Sequence, residues 1–214
     1  MLHYRFPDTI VGSNNNIKTQ LNIPKIILDS DFGGDDFLSF LWLLSLVKQG
    51  LAELIAVTAA DLNVTASRKF SVATKILRLF GFQHIEVGQS VAVIRKAVED
   101  TAQINEVDRV EHLSYTLPPT ASFCEESPYS DEIIINKLNA DPGEITLVAI
   151  GPLINLAAAE TKHPGILKKA KELFVLAEAF QCLKNPIAHT NSNSWFNPET
   201  SQIVFDSRDD IMLL

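Results

Sequence analysis

Cysteine is scarce in this chain: two residues among 214, Cys124 and Cys182. Neither belongs to a CxxC pair, and no Cys/His group has the spacing of a zinc site. That leaves no disulfide framework, and two free thiols suit a reducing compartment. Runs of Lys or Arg are also missing, and the formal net charge is -8. Such a surface repels nucleic acid phosphates and suits a neutral or cationic ligand, or a bound metal. No apolar stretch reaches the length of a bilayer; the longest, Phe37 to Val47, is too short. The first twenty residues lack a basic start followed by an apolar core, so no signal peptide is read there. The five histidines (His3, His84, His112, His163 and His189) form no spaced ligand set. A cytoplasmic protein without nucleic acid or membrane partners is expected.

What is present is the composition of a globular protein, 46% hydrophobic and 21% charged, long enough for one domain with a buried core. Residues 1–22 are polar and read as an extended arm, and 23–214 as a single α/β domain. Within it, apolar runs alternate with segments of helical period. Strands are expected at Lys25–Leu28, Leu54–Ala59, Ile85–Val87, Ile145–Ile150 and Leu173–Leu176, with a last one starting at Ile211. Helices are expected at Asp36–Lys48, Ala66–Phe80, Ser130–Ala140, Leu153–Thr161 and Pro198–Phe205. Gly81 ends the second, Ser130 caps the third, and Asn197 precedes Pro198 as cap of the fifth. Asp36–Lys48 is apolar on nearly every side and reads as a buried helix, with Trp42 in the core. Residues 89–128, containing Pro118-Pro119, read as a loop excursion. The alternation predicts a mostly parallel open sheet flanked by helices, with ligands at the carboxyl ends of the strands.

Chemistry concentrates at one such end. Asp29-Ser30-Asp31-Phe32-Gly33-Gly34-Asp35-Asp36 places four carboxylates in eight residues between two apolar elements. No Arg or Lys lies between Lys25 and Lys48, so a hard cation is the expected counter-charge, and oxygen-only donors favour calcium or magnesium over zinc. Gly33 and Gly34 offer the positive φ of a sharp turn. An EF-hand loop is rejected because its twelfth position, which needs a bidentate acid, is Phe40. A haloacid-dehalogenase-type phosphatase, with Asp29 and Asp31 as its Asp-x-Asp, is an alternative, although that family continues with Gly-Thr. A solvated acidic turn at a helix N-terminus accounts for one or two of the acids, not four.

The Asp-x-Asp-x-Gly-x-Asp-Asp pattern after an apolar strand resembles the signature of the inosine/uridine-preferring nucleoside hydrolases. Ile145–Asn155 resembles the family's strand ending in Gly-Pro-Leu-Thr-Asn, and Asn193 to Phe205 resembles its Asn-x-x-x-Asp-Pro-Glu stretch. The resemblance implies calcium-assisted hydrolysis of the N-glycosidic bond of ribonucleosides. It makes Asp31 and Asp36 calcium ligands together with the Ile154 backbone carbonyl, and Asp31 also the general base. Asp35, Asn63, Asn185 and Asn193 would hold the ribose, with Asn191 where the family has Glu. Asp29 would shape the loop by hydrogen bonding, and Asn155 would cap or brace its turn. His189 and Trp195 fall near the expected pocket.

The departures are Asn191, Ala177-Glu178-Ala179 in place of Met-Gly-Gly, Phe32 in place of Pro, and the position of Leu214. The family continues past that point with a further calcium-binding Asp and a His. A shortened member is therefore expected. Its alternative reading is a catalytically impaired paralogue that binds ribose or metal without turnover, and an open sheet edge would encourage self-association.

Overall fold

The structure, a computed structural model, describes residues 23–60, 66–91, 128–177, 193 and 198–214. The expected N-terminal arm and nearly all of the 89–128 excursion lie outside them. So do Asn63, Asn185, Asn191, Glu178, His189, Trp195, Asn197 and both cysteines.

Strands and helices alternate as expected: β1 (Lys25–Ser30), α1 (Gly34–Lys48), β2 (Glu53–Ala59), α2 (Ala66–Leu79), β3 (Glu86–Gly88), α3 (Ser130–Ala140), β4 (Ile145–Ala149), α4 (Ile154–Lys162), β5 (Glu172–Val175), α5 (Pro198–Ser207) and β6 (Met212–Leu213). A 3-10 turn, Leu167–Lys169, leads into β5. The six strands form one sheet in the order β3-β2-β1-β4-β5-β6, with every pair parallel. The chain thus winds from β1 out to β3, returns to β4 beside β1, and winds the other way to β6. The order reverses between β1 and β4, and such a reversal opens a crevice at the strands' carboxyl ends.

The parallel strands alternate their side chains between two apolar layers. Ile27, Ala56, Leu147, Leu173 and Val175 face α3, α4 and α5, where Ile133, Ile134, Leu138, Leu156 and Val204 complete one core. Leu28, Val57 and Val87 face α1 and α2, where Phe40, Leu44, Phe70, Ala73 and Leu77 complete the other. On this second face a single cross-strand row, Val57-Leu28-Val148-Phe174-Met212, follows from the register. Its burial falls from complete at Val57 through half-buried Val148 and Phe174 to 36% exposure at Met212. No described helix is long and apolar enough to cross a membrane.

Three local expectations need correction. First, α1 is not buried all round. Asp36, Phe40, Leu43 and Leu44 form its inward stripe, while Leu38 and Trp42 are 67% and 68% exposed. Leucine and tryptophan on both sides of the helix hid the stripe, and Trp42 is a surface residue rather than core. Second, Ser130 does not cap α3. It is the first helical residue, and its buried hydroxyl is turned toward the Ala59 carbonyl at 3.5 Å. Third, Gly33 has an ordinary φ of -59°, and the left-handed residue of the turn is Phe32 at φ 54°. Gly81, by contrast, ends α2 with φ 82°, as its position suggested.

Candidate functional site: an acidic loop at the sheet's switch point

The loop between β1 and α1 lies in that crevice, beside the segment that follows β4. The two are in close contact: a methyl group added at Gly151 would stand 2.6 Å from the Asp31 backbone nitrogen and 3.0 Å from the Ser30 carbonyl carbon. A glycine directly after β4 is therefore what lets the acidic loop lie against it.

The four aspartates occupy four different environments. Asp29, the fifth residue of β1, is 1% exposed. Its Oδ1 accepts hydrogen bonds from Thr58 Oγ1 at 2.6 Å and Asn155 Nδ2 at 2.8 Å, while its buried Oδ2 has no partner among the described residues. Burial raises its pKa to about 7, with the Asp31 charge adding to the rise and the two hydrogen bonds opposing it. Asp36, in the first turn of α1, is 5% exposed. Its Oδ2 accepts from Ser30 Oγ at 2.8 Å and from the Asp31 N–H at 3.3 Å. Burial again is the main cause of a pKa raised to about 7. The Ser30 bond opposes it, the charges of Asp31 and Asp35 reinforce it, and the Asp31 N–H opposes it weakly. Asp31 is half-buried, and its Oδ1 accepts the Gly33 N–H at 2.8 Å. Asp35 is exposed.

Phe32 pins the turn. Its side chain is buried and meets Phe40 edge-on, with ring centroids 5.2 Å apart, and its N–H donates to Ser30 Oγ at 2.9 Å. Proline, with φ locked near -65°, cannot adopt this residue's left-handed conformation.

Among the described residues no Lys or Arg pairs with Asp29, Asp31, Asp35 or Asp36. All the donors are hard oxygens, and burial raises the pKa of two of the acids to about 7. That chemistry fits calcium or magnesium. The described residues do not close a cage, however: no three His, Cys, Asp or Glu side chains converge as a metal-holding group. A cation here would complete its shell from backbone carbonyls, water, substrate or residues outside the described ones. Ile154, the expected carbonyl ligand, is the buried first residue of α4, and its N–H donates to Pro152 O at 2.9 Å.

Asn193 reaches the same end of the sheet. It is buried, and its Nδ2 donates to the carbonyls of Ile150 at 2.8 Å and Leu176 at 3.4 Å. It thus ties together the exits of β4 and β5. Asn155, expected to cap or brace its own turn, instead bonds the ends of β1 and β2 and the segment after β3. Ser30 and Thr58 went unnoticed as supports for the loop. Thr58 had a signal: it is the one polar residue in Leu54–Ala59, and the register sets it opposite Asp29.

Sequence comparison decides the relationship. The profile of the inosine-uridine preferring nucleoside hydrolases matches residues 26–214. The chain belongs to this family. Its relatives within the family include a protein of Oryza sativa subsp. japonica named probable uridine nucleosidase 1, 28% identical over 94% of this chain and 60% of its own length. Another is a pyrimidine-specific ribonucleoside hydrolase of Escherichia coli O9:H4 (strain HS), 29% identical over 86% of this chain and 56% of its own. Among solved structures, a plant nucleoside hydrolase superposes with a TM-score of 0.68 at 31% identity, covering 89% of this chain and 59% of that one. This nucleoside hydrolase family chain therefore spans less than two-thirds of the length of these relatives. The acidic loop, Gly151-Pro152 and Asn193 all lie inside the matched region.

Proposed function

We propose that the chain serves the hydrolysis of ribonucleosides to ribose and free base, assisted by calcium held at the acidic loop. The observation that carries this reading is the carboxylate cluster, unpaired with Lys or Arg among the described residues, at the switch point of a nucleoside hydrolase sheet. A divalent cation there supplies neutralising charge, lowers the pKa of a nearby water and orients ribose hydroxyls. Asp31 and Asp36 would hold it, with the Ile154 carbonyl as the third protein donor. Asp31, half-buried with one carboxylate oxygen committed to Gly33, presents the other as the base that accepts the proton of the attacking water. Asp35, open to solvent, accepts a hydrogen bond from a ribose hydroxyl, with Asn63, Asn185, Asn191 and Asn193 as further ribose contacts. Positive charge develops on the sugar as the bond to the base breaks, and a loop rich in carboxylates favours it.

The test is direct. Purified protein with inosine or uridine and calcium should release free ribose, and Asp31→Ala should lower the rate at least about 100-fold, the usual worth of a positioned base. Equal ribose from the two proteins would contradict the reading. A second reading, binding without turnover, is favoured by a described donor set that stays below three side chains. It predicts calcium uptake with no ribose release.

A further inference from the structure

Beside the acidic loop lies a residue whose side chain is closed to solvent and contacts none of the expected ligand groups, yet joins three strand ends. Asn155, in the first turn of α4, is 0% exposed. Its Nδ2 donates to Asp29 Oδ1 at 2.8 Å and to the Ala59 carbonyl at 3.0 Å, and its Oδ1 accepts the Val91 N–H at 3.1 Å. One amide thus ties the end of β1 to the end of β2 and to the segment after β3. Both of its donor protons are committed, so it has none left for a substrate.

Asp29 is in turn fixed from the other side. Thr58 Oγ1 donates to the same Oδ1, and the Asp29 carbonyl accepts the Ile150 N–H at 2.9 Å. Asp29 is therefore held on both sides one residue before β1 ends at Ser30, and Asp31 follows two residues on with, among the described residues, the Gly33 N–H on its side chain. Wherever Asp29 sits, the start of the loop must follow.

We propose that Asn155 is a positioning residue for the acidic loop: through Asp29 it sets where Asp31 and Asp36 stand, and so sets the affinity for calcium without touching the ion. This rests on the calcium reading above. Outer groups that orient metal ligands typically govern 10–100-fold in metal affinity. Asn155 differs from a merely structural core residue in that its removal would act on binding by the folded protein, not only on folding.

Calorimetric titration of calcium into the metal-free protein tests this, with thermal unfolding measured alongside. Asn155→Ala should bind calcium about 10–100-fold more weakly than wild type. Asn155→Asp, which keeps the shape but loses the amide donor and sets a carboxylate against Asp29, should be at least as weak. Leu138→Ala, in the apolar layer on the other face, should lower the melting temperature and leave calcium affinity unchanged. If both Asn155 variants fail to fold, Thr58→Val, which removes the other donor to Asp29 Oδ1, should still show weakened affinity. Wild-type affinity in folded Asn155→Ala, or in Thr58→Val should that be the only one to fold, would overturn the proposal alone. Wild-type protein that takes up no calcium would overturn the calcium reading and this proposal together.

Discussion

Asp29 and Asp36 are each raised from 3.8 to about 7, mainly by burial. A carboxyl with a folded pKa above its unfolded one holds its proton more tightly when folded. Its contribution to stability is present below the unfolded value and is lost as pH rises through the folded one. In metal-free protein the loss therefore runs from about pH 4 to about pH 7. Melting temperatures recorded in chelator should fall across that window. Asp36→Asn, which cannot ionise, should flatten the fall. A melting temperature that rises from pH 4 to pH 7 would show that these carboxylates are ionised and satisfied without metal. The concentration of acids was visible in the sequence because adjacent Asp residues between apolar runs are rare. Their division of labour was not. Ser30 and Thr58 act through contacts that depend on strand register, and the left-handed turn fell on Phe32 because its ring packs on Phe40 while Gly33 serves the close approach of Asp31 Oδ1.

At the level of elements, α1 shows how far a pattern can be trusted. Its length and its first-turn acids were legible, because Asp35 and Asp36 sit where the helix dipole favours negative charge. Its inward face was not, since Leu38, Leu41, Trp42 and Leu46 surround the helix with apolar side chains. The structure separates two aromatics only two positions apart: Phe40 is fully buried and Trp42 is 68% exposed. Phe40→Ala should cost about 3–5 kcal/mol and loosen the turn at Phe32 as well. Trp42→Ala should change stability by about 0.5 kcal/mol or less. Chemical denaturation of the two variants measures the contrast, and equal losses would mean that Trp42 is covered. The strands were easier to read. Short apolar runs with turn residues at both ends have few alternatives in a parallel sheet, and β1 differed only in continuing through Asp29 to Ser30. That extension matters, because it makes Asp29 a strand residue with a fixed register partner rather than part of a free loop.

For the molecule as a whole, the alternation of strands and helices was enough to expect a parallel open sheet. The strand order, and with it the reversal between β1 and β4, became visible only in three dimensions. That reversal unites segments more than a hundred residues apart, the acidic loop and Gly151-Pro152-Leu153-Ile154-Asn155, into one site. It also explains why separate sequence blocks resemble one family. If the site holds calcium, binding is linked to the unfolding of the entire chain, because the unfolded chain has no such site. Calcium at a hundred times its dissociation constant stabilises by about 2.7 kcal/mol, which for a chain of this size raises the melting temperature by roughly 5–10 °C. Thermal unfolding at pH 8, with saturating calcium against chelator, in wild type and in a protein carrying both Asp31→Asn and Asp36→Asn, is the most direct measurement. Wild type should gain those degrees and the double variant should gain none. An identical response of the two proteins, or none in either, would contradict a cation at the acidic loop.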